Sequence, residues 1–173
     1  MRQLIFISLV IFVFSCSKEE SNDYYWGTAS AKFNGDSWLA KPRASVNKPY
    51  MQGIDIVIER QGKSGYVKEI LFLYKLPSTT GKYPLSDTEV RDIDSLIGAK
   101  FFTMDDVDVL GDVYRLHKGG ADNYLEINKI EGDQIWAEFQ VAFVRQIVGT
   151  VSSYPDTIIL SNGKIHTKIF KPE

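Results

Sequence analysis

The stretch Ala29-Ser30-Ala31-Lys32-Phe33-Asn34-Gly35-Asp36-Ser37-Trp38-Leu39-Ala40 constrains the fold more than any other. Ala29, Ala31 and Phe33 alternate with Ser30 and Lys32, the period of a strand with one buried face. Asn34-Gly35 follows, and both residues tolerate the positive φ that a two-residue hairpin turn requires. Ser37 to Ala40 then runs back as a second strand, and Pro42 is expected to end it, with a loop over residues 43–50. The same pattern recurs downstream. Ile54, Ile56 and Ile58 share one face of a strand over 53–60, and a turn spans 61–65. Residues 66–76 carry Ile70, Phe72 and Tyr74 on one side and Leu71 and Leu73 on the other, so this strand should be central or covered on both faces. Residues 82–85 read as a short edge piece. Further strands are expected over 100–104, 112–117, 123–130 and 134–145. A closing hairpin is expected from 157–160, a turn at Ser161-Asn162-Gly163, and 164–170.

One helix is expected, over 86–98. Ser86 and Glu89 form a capping-box pair. Val90, Ile93 and Ile97 fall on one face, and Gly98 suits the stop. A helix this short is stable only when packed on a sheet. The chain therefore reads as all-β: an antiparallel β-sandwich or open barrel of about 8–10 strands with one short helix.

The first residues follow a different logic. Met1-Arg2 gives a positive start, and residues 4–14 are apolar except for Ser8. That is the pattern of a secretory signal, and it is shorter than the roughly 20 residues a membrane-spanning helix needs. Val13-Phe14-Ser15-Cys16 resembles the lipobox of bacterial lipoproteins. The resemblance implies cleavage after residue 15 and diacylglycerol on the Cys16 sulfur. Phe14 is bulkier than the residue usual at its position. Ser17-Lys18-Glu19-Glu20 resembles the short acidic export signal of Bacteroidetes surface lipoproteins. The expected organisation is a signal peptide at 1–15, lipidated Cys16 and a flexible tether at 16–26, and a single β-domain at 27–173.

Removing residues 1–15 leaves 158 of the 173 residues, enough for one core. It also takes the formal charge from −2 to −3. A mildly acidic domain has no electrostatic case for nucleic acid. Cys16 is the sole cysteine. A disulfide framework, a thiolate metal site and a cysteine nucleophile in the domain are thereby excluded.

The candidate sites are few. Asp105, Asp106, Asp108 and Asp112 form the densest acidic run and a loose candidate for calcium. Leu110 and His117 stand where an EF-hand loop needs oxygen ligands, so that loop is excluded. His117 and His166 lack the spacing of a metal pair. Glu126 and Glu138 are strand-borne carboxylates that could face each other across a sheet. Trp26, Trp38 and Trp136 are candidates for ligand stacking, with core packing the competing role for Trp38 and Trp136. Asp94-Ser95-Leu96 and Asp156-Thr157-Ile158 resemble short O-glycosylation sites of secreted Bacteroidetes proteins.

Taken together, the turn Asn34-Gly35 with Trp38, the element Gly81-Lys82-Tyr83-Pro84-Leu85, the strand Tyr124-Leu125-Glu126-Ile127 and the final Asn162-Gly163 resemble a group of small Bacteroidetes lipoproteins. The resemblance implies an envelope compartment and a β architecture, and no reaction. The function expected is an envelope-anchored, non-catalytic β-domain on the outer membrane. It would face the cell surface (alternatively the periplasm) and bind or scaffold a glycan, a peptide or a partner protein. No cofactor and no nucleic acid are expected. The alternatives are a calycin-like carrier of a small apolar ligand and a hydrolase built from two or three of Glu126, Glu138, His117, Asp106 and Asp108.

Overall fold

The computed structural model describes residues 25–46, 53–62, 65–87, 96–105, 109–119, 122–149 and 154–171. Ten strands run through them: β1 (Gly27–Phe33), β2 (Asp36–Val46), β3 (Ile54–Gln61), β4 (Val67–Leu76), β5 (Gly81–Pro84), β6 (Gly98–Asp105), β7 (Val109–Leu116), β8 (Tyr124–Glu131), β9 (Gln134–Ile147) and β10 (Thr157–Phe170). The protein is all-β, as its sequence predicts. No helix occurs among the described residues, and residues 88–95 of the expected helix lie outside them. Gly98, expected as the helix stop, instead opens β6 and bridges in parallel to Ser86.

All ten strands join one sheet. Following the pairs β1–β2–β3–β4–β6–β7–β9–β10 returns to β1, so eight strands form a ring. This is the barrel arrangement rather than two separate sheets. β8 pairs with β9, and β5 pairs with β8, as a two-stranded wing on the ring. Every pairing is antiparallel except a short contact of β10 with β2. The base of the barrel holds Gly27, Ile54, Leu76 and the turn at Gly132. The rim at the other end holds Asn34-Gly35, the β3–β4 turn, and the ends of β6, β7 and β9.

β9 changes partner along its length. Residues 134–140 pair with β8, and 143–147 pair with β7. Asn123 fills the resulting gap. Its Oδ1 accepts from the Ala142 backbone N–H at 2.7 Å, and its Nδ2 donates to the His117 carbonyl at 3.0 Å. The side chain stands in for a missing strand, because a buried backbone group left unpaired is costly.

Two sequence expectations fail for related reasons. Pro42 does not end its strand: β2 continues to Val46. β2 pairs with β1 only as far as Ala40 and with β10 only from Ala44, so the residue lacking an N–H sits between two partners. The closing hairpin does not form either. β10 is one strand with a bulge at residues 161–163. A type I′ turn needs positive φ at both central residues. Asn34 (48°) and Gly35 (95°) provide it, whereas at the second site only Asn162 (52°) does. The long β9 pairs with β10 on both sides of the bulge, from Val144 to Gln134, and keeps the chain extended.

Inward residues fill the ring. Trp38, Phe101, Tyr114, Phe139, Phe143, Ile56, Leu71 and Leu73 are fully buried. The Phe101 ring lies 5.6 Å from Tyr114, 6.0 Å from Phe143 and 6.0 Å from Phe33. Truncating such a central ring to alanine costs about 3–5 kcal/mol. Tyr74 and Ile70 are buried as well, though outside this cluster, consistent with a strand covered on both faces.

Candidate functional site

The outer wall of β8, β9, β10 and β1 is ordered in rows, because register sets residues of adjacent strands side by side. One row runs Lys129, Trp136, His166, Thr28. The Trp136 and His166 rings stack at 4.4 Å and 16°. Trp26 meets His166 edge-on at 5.1 Å. Lys129 Nζ lies 4.8 Å from the Trp136 ring centre, and Lys168 Nζ lies 4.9 Å from that of Trp26. Gln134 Oε1 is 2.9 Å from His166 Nε2 and fixes the imidazole. Thr167 Oγ1 donates to the Trp26 carbonyl at 2.7 Å. Trp26, expected in the tether, is therefore docked on the domain.

The next row runs Lys82, Glu126, Glu138, Lys164, Ser30. The two glutamates named from the sequence are direct cross-strand neighbours, with a lysine in register beyond each. A surface hollow of about 350 Å³ lies between the rows, lined by Trp136, His166, Glu138, Lys164, Asn128 and Ser30. It offers one large aromatic body ringed by donors and acceptors of both signs.

A second cleft, of about 760 Å³, opens at the seam where the wing leaves the ring. Its lining includes Lys82, Leu116, Lys118, Asp87 and Tyr124. Lys82 Nζ sits 3.8 Å from the Tyr124 ring centre, and Lys118 pairs with Asp87 at 3.7 Å.

Two carboxylates are buried near the rim: Glu69, which no sequence motif marks, and Asp112, read from the sequence only as part of the acidic run. Glu69 on β4 accepts from Trp38 Nε1 at 2.6 Å, Tyr154 Oη at 2.9 Å and Arg60 Nη2 at 3.1 Å. Arg60 Nε also lies 3.0 Å from it. Asp112 on β7 accepts from the Gly149 N–H at 2.7 Å and faces Arg145 Nη1 at 3.4 Å. Arg145 also engages Asp156, and the Tyr114 hydroxyl donates to the Pro155 carbonyl at 2.9 Å. Burial first, then Asp112 beside it, raises the Tyr114 phenol well above its ordinary value. Burial and then Glu69 do the same to Tyr154. Both clusters thus hold described ends of the β9–β10 connection, Asp112 through Gly149 and Glu69 through Tyr154. Each carboxylate already has several donors aimed at it, which is the arrangement of a structural clamp.

The remaining candidates scatter. Cys16, Ser17, Lys18, Glu19 and Glu20 lie outside the described residues. Trp38 is fully buried with its indole committed to Glu69, so it lies off any surface. Asp106 and Asp108 are outside the described residues. Asp112 is sealed in its clamp, and one Asp105 carboxylate oxygen is buried without a hydrogen-bond partner. Among the described residues, no group of three or more His, Cys, Asp or Glu side chains is placed to hold a metal. His117 sits at the seam, away from Glu126 and Glu138, which stand side by side on the outer wall, so of the described members of the proposed hydrolase set only the two glutamates are brought together. Thr157 starts β10 and is exposed; Asp94 and Ser95 lie outside the described residues.

Comparison with models of protein families, with curated proteins and with solved structures finds no match for this chain.

Proposed function

We propose that the chain is an envelope lipoprotein, anchored through Cys16 to the outer membrane with its β-domain toward the cell surface, and that the domain is a non-catalytic binding module. Its ligand face is the outer wall around Trp136 and His166, and its ligand is a glycan. The observation that carries this reading is the half-buried Trp136 beside a hollow of mixed hydrogen-bonding groups. A polyhydroxylated ring matches both parts, since its apolar face stacks on an indole while its hydroxyls use donors and acceptors alike. Lys129 covers one indole face, but an exposed cation–π contact contributes only about 0.5–1 kcal/mol, so a sugar displaces it at low cost.

The carrier alternative needs an open apolar interior, and the barrel is filled by Trp38, Phe101, Tyr114, Phe139 and Phe143. The hydrolase alternative draws on Glu126 opposite Glu138. A general acid of this kind is a carboxyl held in an apolar pocket, whereas on the outer wall Glu126 is half-buried and Glu138 exposed.

Titration calorimetry of the protein against a panel of envelope and host glycans tests the binding reading. A Trp136→Ala variant should weaken the best ligand by about tenfold, the usual effect of removing a central aromatic anchor. An unchanged affinity would sink the assignment of the face. Mass spectrometry of the native protein tests the anchor separately: an unmodified Cys16 thiol ends that part of the proposal. Protease treatment of intact cells decides the leaflet, because a periplasmic domain would be spared.

A further inference from the structure

The barrel wall between β2 and β3 is open for part of its length. β2 pairs with β3 only through residues 41–46, and over residues 36–40 its partner is β1. β3 runs on to Gln61 paired with β4 but no longer with β2. The two strands therefore part beyond the pair Lys41–Glu59. Arg60 lines the opening, and buried Glu69 holds its guanidinium at 3.0–3.1 Å. A hollow of about 590 Å³ lies there, within the roughly 300–1,000 Å³ of small-molecule sites. It shares no lining residue with the hollow beside Trp136.

The lining has two chemical parts. One is apolar. Leu39 stands on the strand wall at 69% exposure, and Ala40 and half-buried Tyr25 line the same hollow. The other part is cationic. Lys41 alternates with buried Trp38 and Pro42 on β2, and Lys68 alternates with buried Val67 and Glu69 on β4, so both side chains stand on the outer face. Glu59 is in register with Lys41, yet its ion pair is with Arg43 at 3.9 Å. Arg60 is met by Glu69. Among the described residues, neither Lys41 nor Lys68 is in an ion pair. The charges of the lining thus cancel except for two ammonium groups. Two strand spacings, about 10 Å, separate their backbones, so one small ligand meets both.

That combination selects the ligand. A cation is repelled. An uncharged apolar molecule takes the ammonium groups out of water without a partner, which is costly. A bare inorganic anion leaves Leu39 in water. A molecule with an anionic end and an apolar body satisfies both halves. We infer that the opening between β2 and β3 binds a small organic acid whose body is apolar. The site is independent of the lipid anchor and of the glycan face.

The test titrates the isotope-labelled full-length protein with 4-phenylbutyrate and follows the backbone amide signals by NMR. The comparisons are 4-phenylbutan-1-ol and 4-phenylbutylamine, which keep the body and remove or reverse the charge. The acid should shift the amides of Leu39, Lys41, Gln61 and Lys68 with a Kd of about 1 mM, ordinary for a ligand of about a dozen heavy atoms. The alcohol should shift the same amides about tenfold more weakly, because one exposed ion pair adds little and two amount to about a decade. The amine should not bind. The double change Lys41→Gln, Lys68→Gln should lower the acid to the affinity of the alcohol. It should leave thermal unfolding unchanged, since neither lysine is in an ion pair that the fold would lose. Leu39→Asn should weaken acid and alcohol alike, by about threefold. The inference is overturned if the acid causes no shifts, if its shifts are confined to residues around Trp136, or if the amine binds as well as the acid. Equal affinities for acid and alcohol, or acid binding that the two glutamines leave unchanged, overturn it as well.

Discussion

Glu69 and Asp112 are equally sealed from water, at 2% and 1% exposure, yet they are held in different ways. The donors to Glu69 among the described residues are side chains: Trp38, Arg60 and Tyr154, all at 3.1 Å or less. Among the described residues, Asp112 takes a short bond from the Gly149 backbone N–H. Its other neighbours, Arg145 and Tyr114, stand 3.4 and 3.5 Å away and turn their better contacts to Asp156 and the Pro155 carbonyl. The comparison teaches that depth of burial does not set how strongly a charge is needed. What counts is how many groups have no other partner. Removing Glu69 strands an indole N–H and a guanidinium inside the barrel. Removing Asp112 leaves an arginine that still has Asp156, and a glycine N–H near the surface.

The largest expected effect separates the two directly. Glu69→Ala should destabilise the fold by roughly 3–5 kcal/mol, the range for breaking a buried ion pair. Asp112→Ala should cost about 1–3 kcal/mol, the range for a buried hydrogen-bonding group left without its partner. Urea denaturation of both variants at neutral pH measures the difference. Equal losses would break the comparison, and a larger loss at Asp112 would reverse it.

The amide variants sharpen it at smaller scale. Both Glu69 oxygens have donors aimed at them, so Glu69→Gln points an N–H₂ at another donor whichever way it turns, at a cost of about 2–3 kcal/mol. Asp112→Asn keeps an oxygen for Gly149 and turns its N–H₂ toward a loosely held Arg145. Its loss should stay near 1 kcal/mol on the same scale. If Glu69→Gln unfolds at the wild-type urea midpoint, the carboxylate charge is not what the donors require.

The sequence shows one of these clamps in outline. Residues 69, 71 and 73 share a parity on β4, so the alternation that turns Leu71 and Leu73 inward also turns Glu69 inward. What it hides is the partners, which come from β2, β3 and the β9–β10 connection, up to 85 residues away in the chain. Asp112 is harder still, because it sits within an acidic run whose sequence reading is a loose calcium candidate and not a buried clamp. The same division holds for the fold. Alternation and glycine turns disclose an all-β chain and nearly every strand. The fate of Asn162-Gly163 depends on the length of β9, and no local pattern records that. On the outer wall, Trp136 and Glu138 are visible as outward residues, but the stack of His166 on Trp136 is a matter of register, and register is tertiary. Trp38 shows the opposite limit: an aromatic in a strand is a ligand platform or a core plug according to parity, and its place after an Asn-Gly turn does not decide which.

The smallest effects concern the tyrosines, and here pH separates them from the carboxylates. Tyr154 and Tyr114 have phenol pKa values raised above the ordinary value of about 10. The folded state holds these protons more tightly than the unfolded chain. Their contribution is therefore complete below about pH 10 and is lost as pH climbs through the raised folded values. Tyr154→Phe should cost about 1 kcal/mol at neutral pH, one hydrogen bond to Glu69. It should also flatten the alkaline decline in the urea midpoint between roughly pH 10 and 11, where the unfolded chain loses its proton first. Tyr114→Phe gives up a bond to a carbonyl instead of a carboxylate, so its neutral-pH loss should be smaller, near 0.5 kcal/mol. Its alkaline flattening should be present too, since burial is the leading cause of the shift at both sites. A Tyr114→Phe variant more damaging than Tyr154→Phe would mean that the Asp112 side carries the tighter clamp, and the order of the two carboxylates would have to be exchanged.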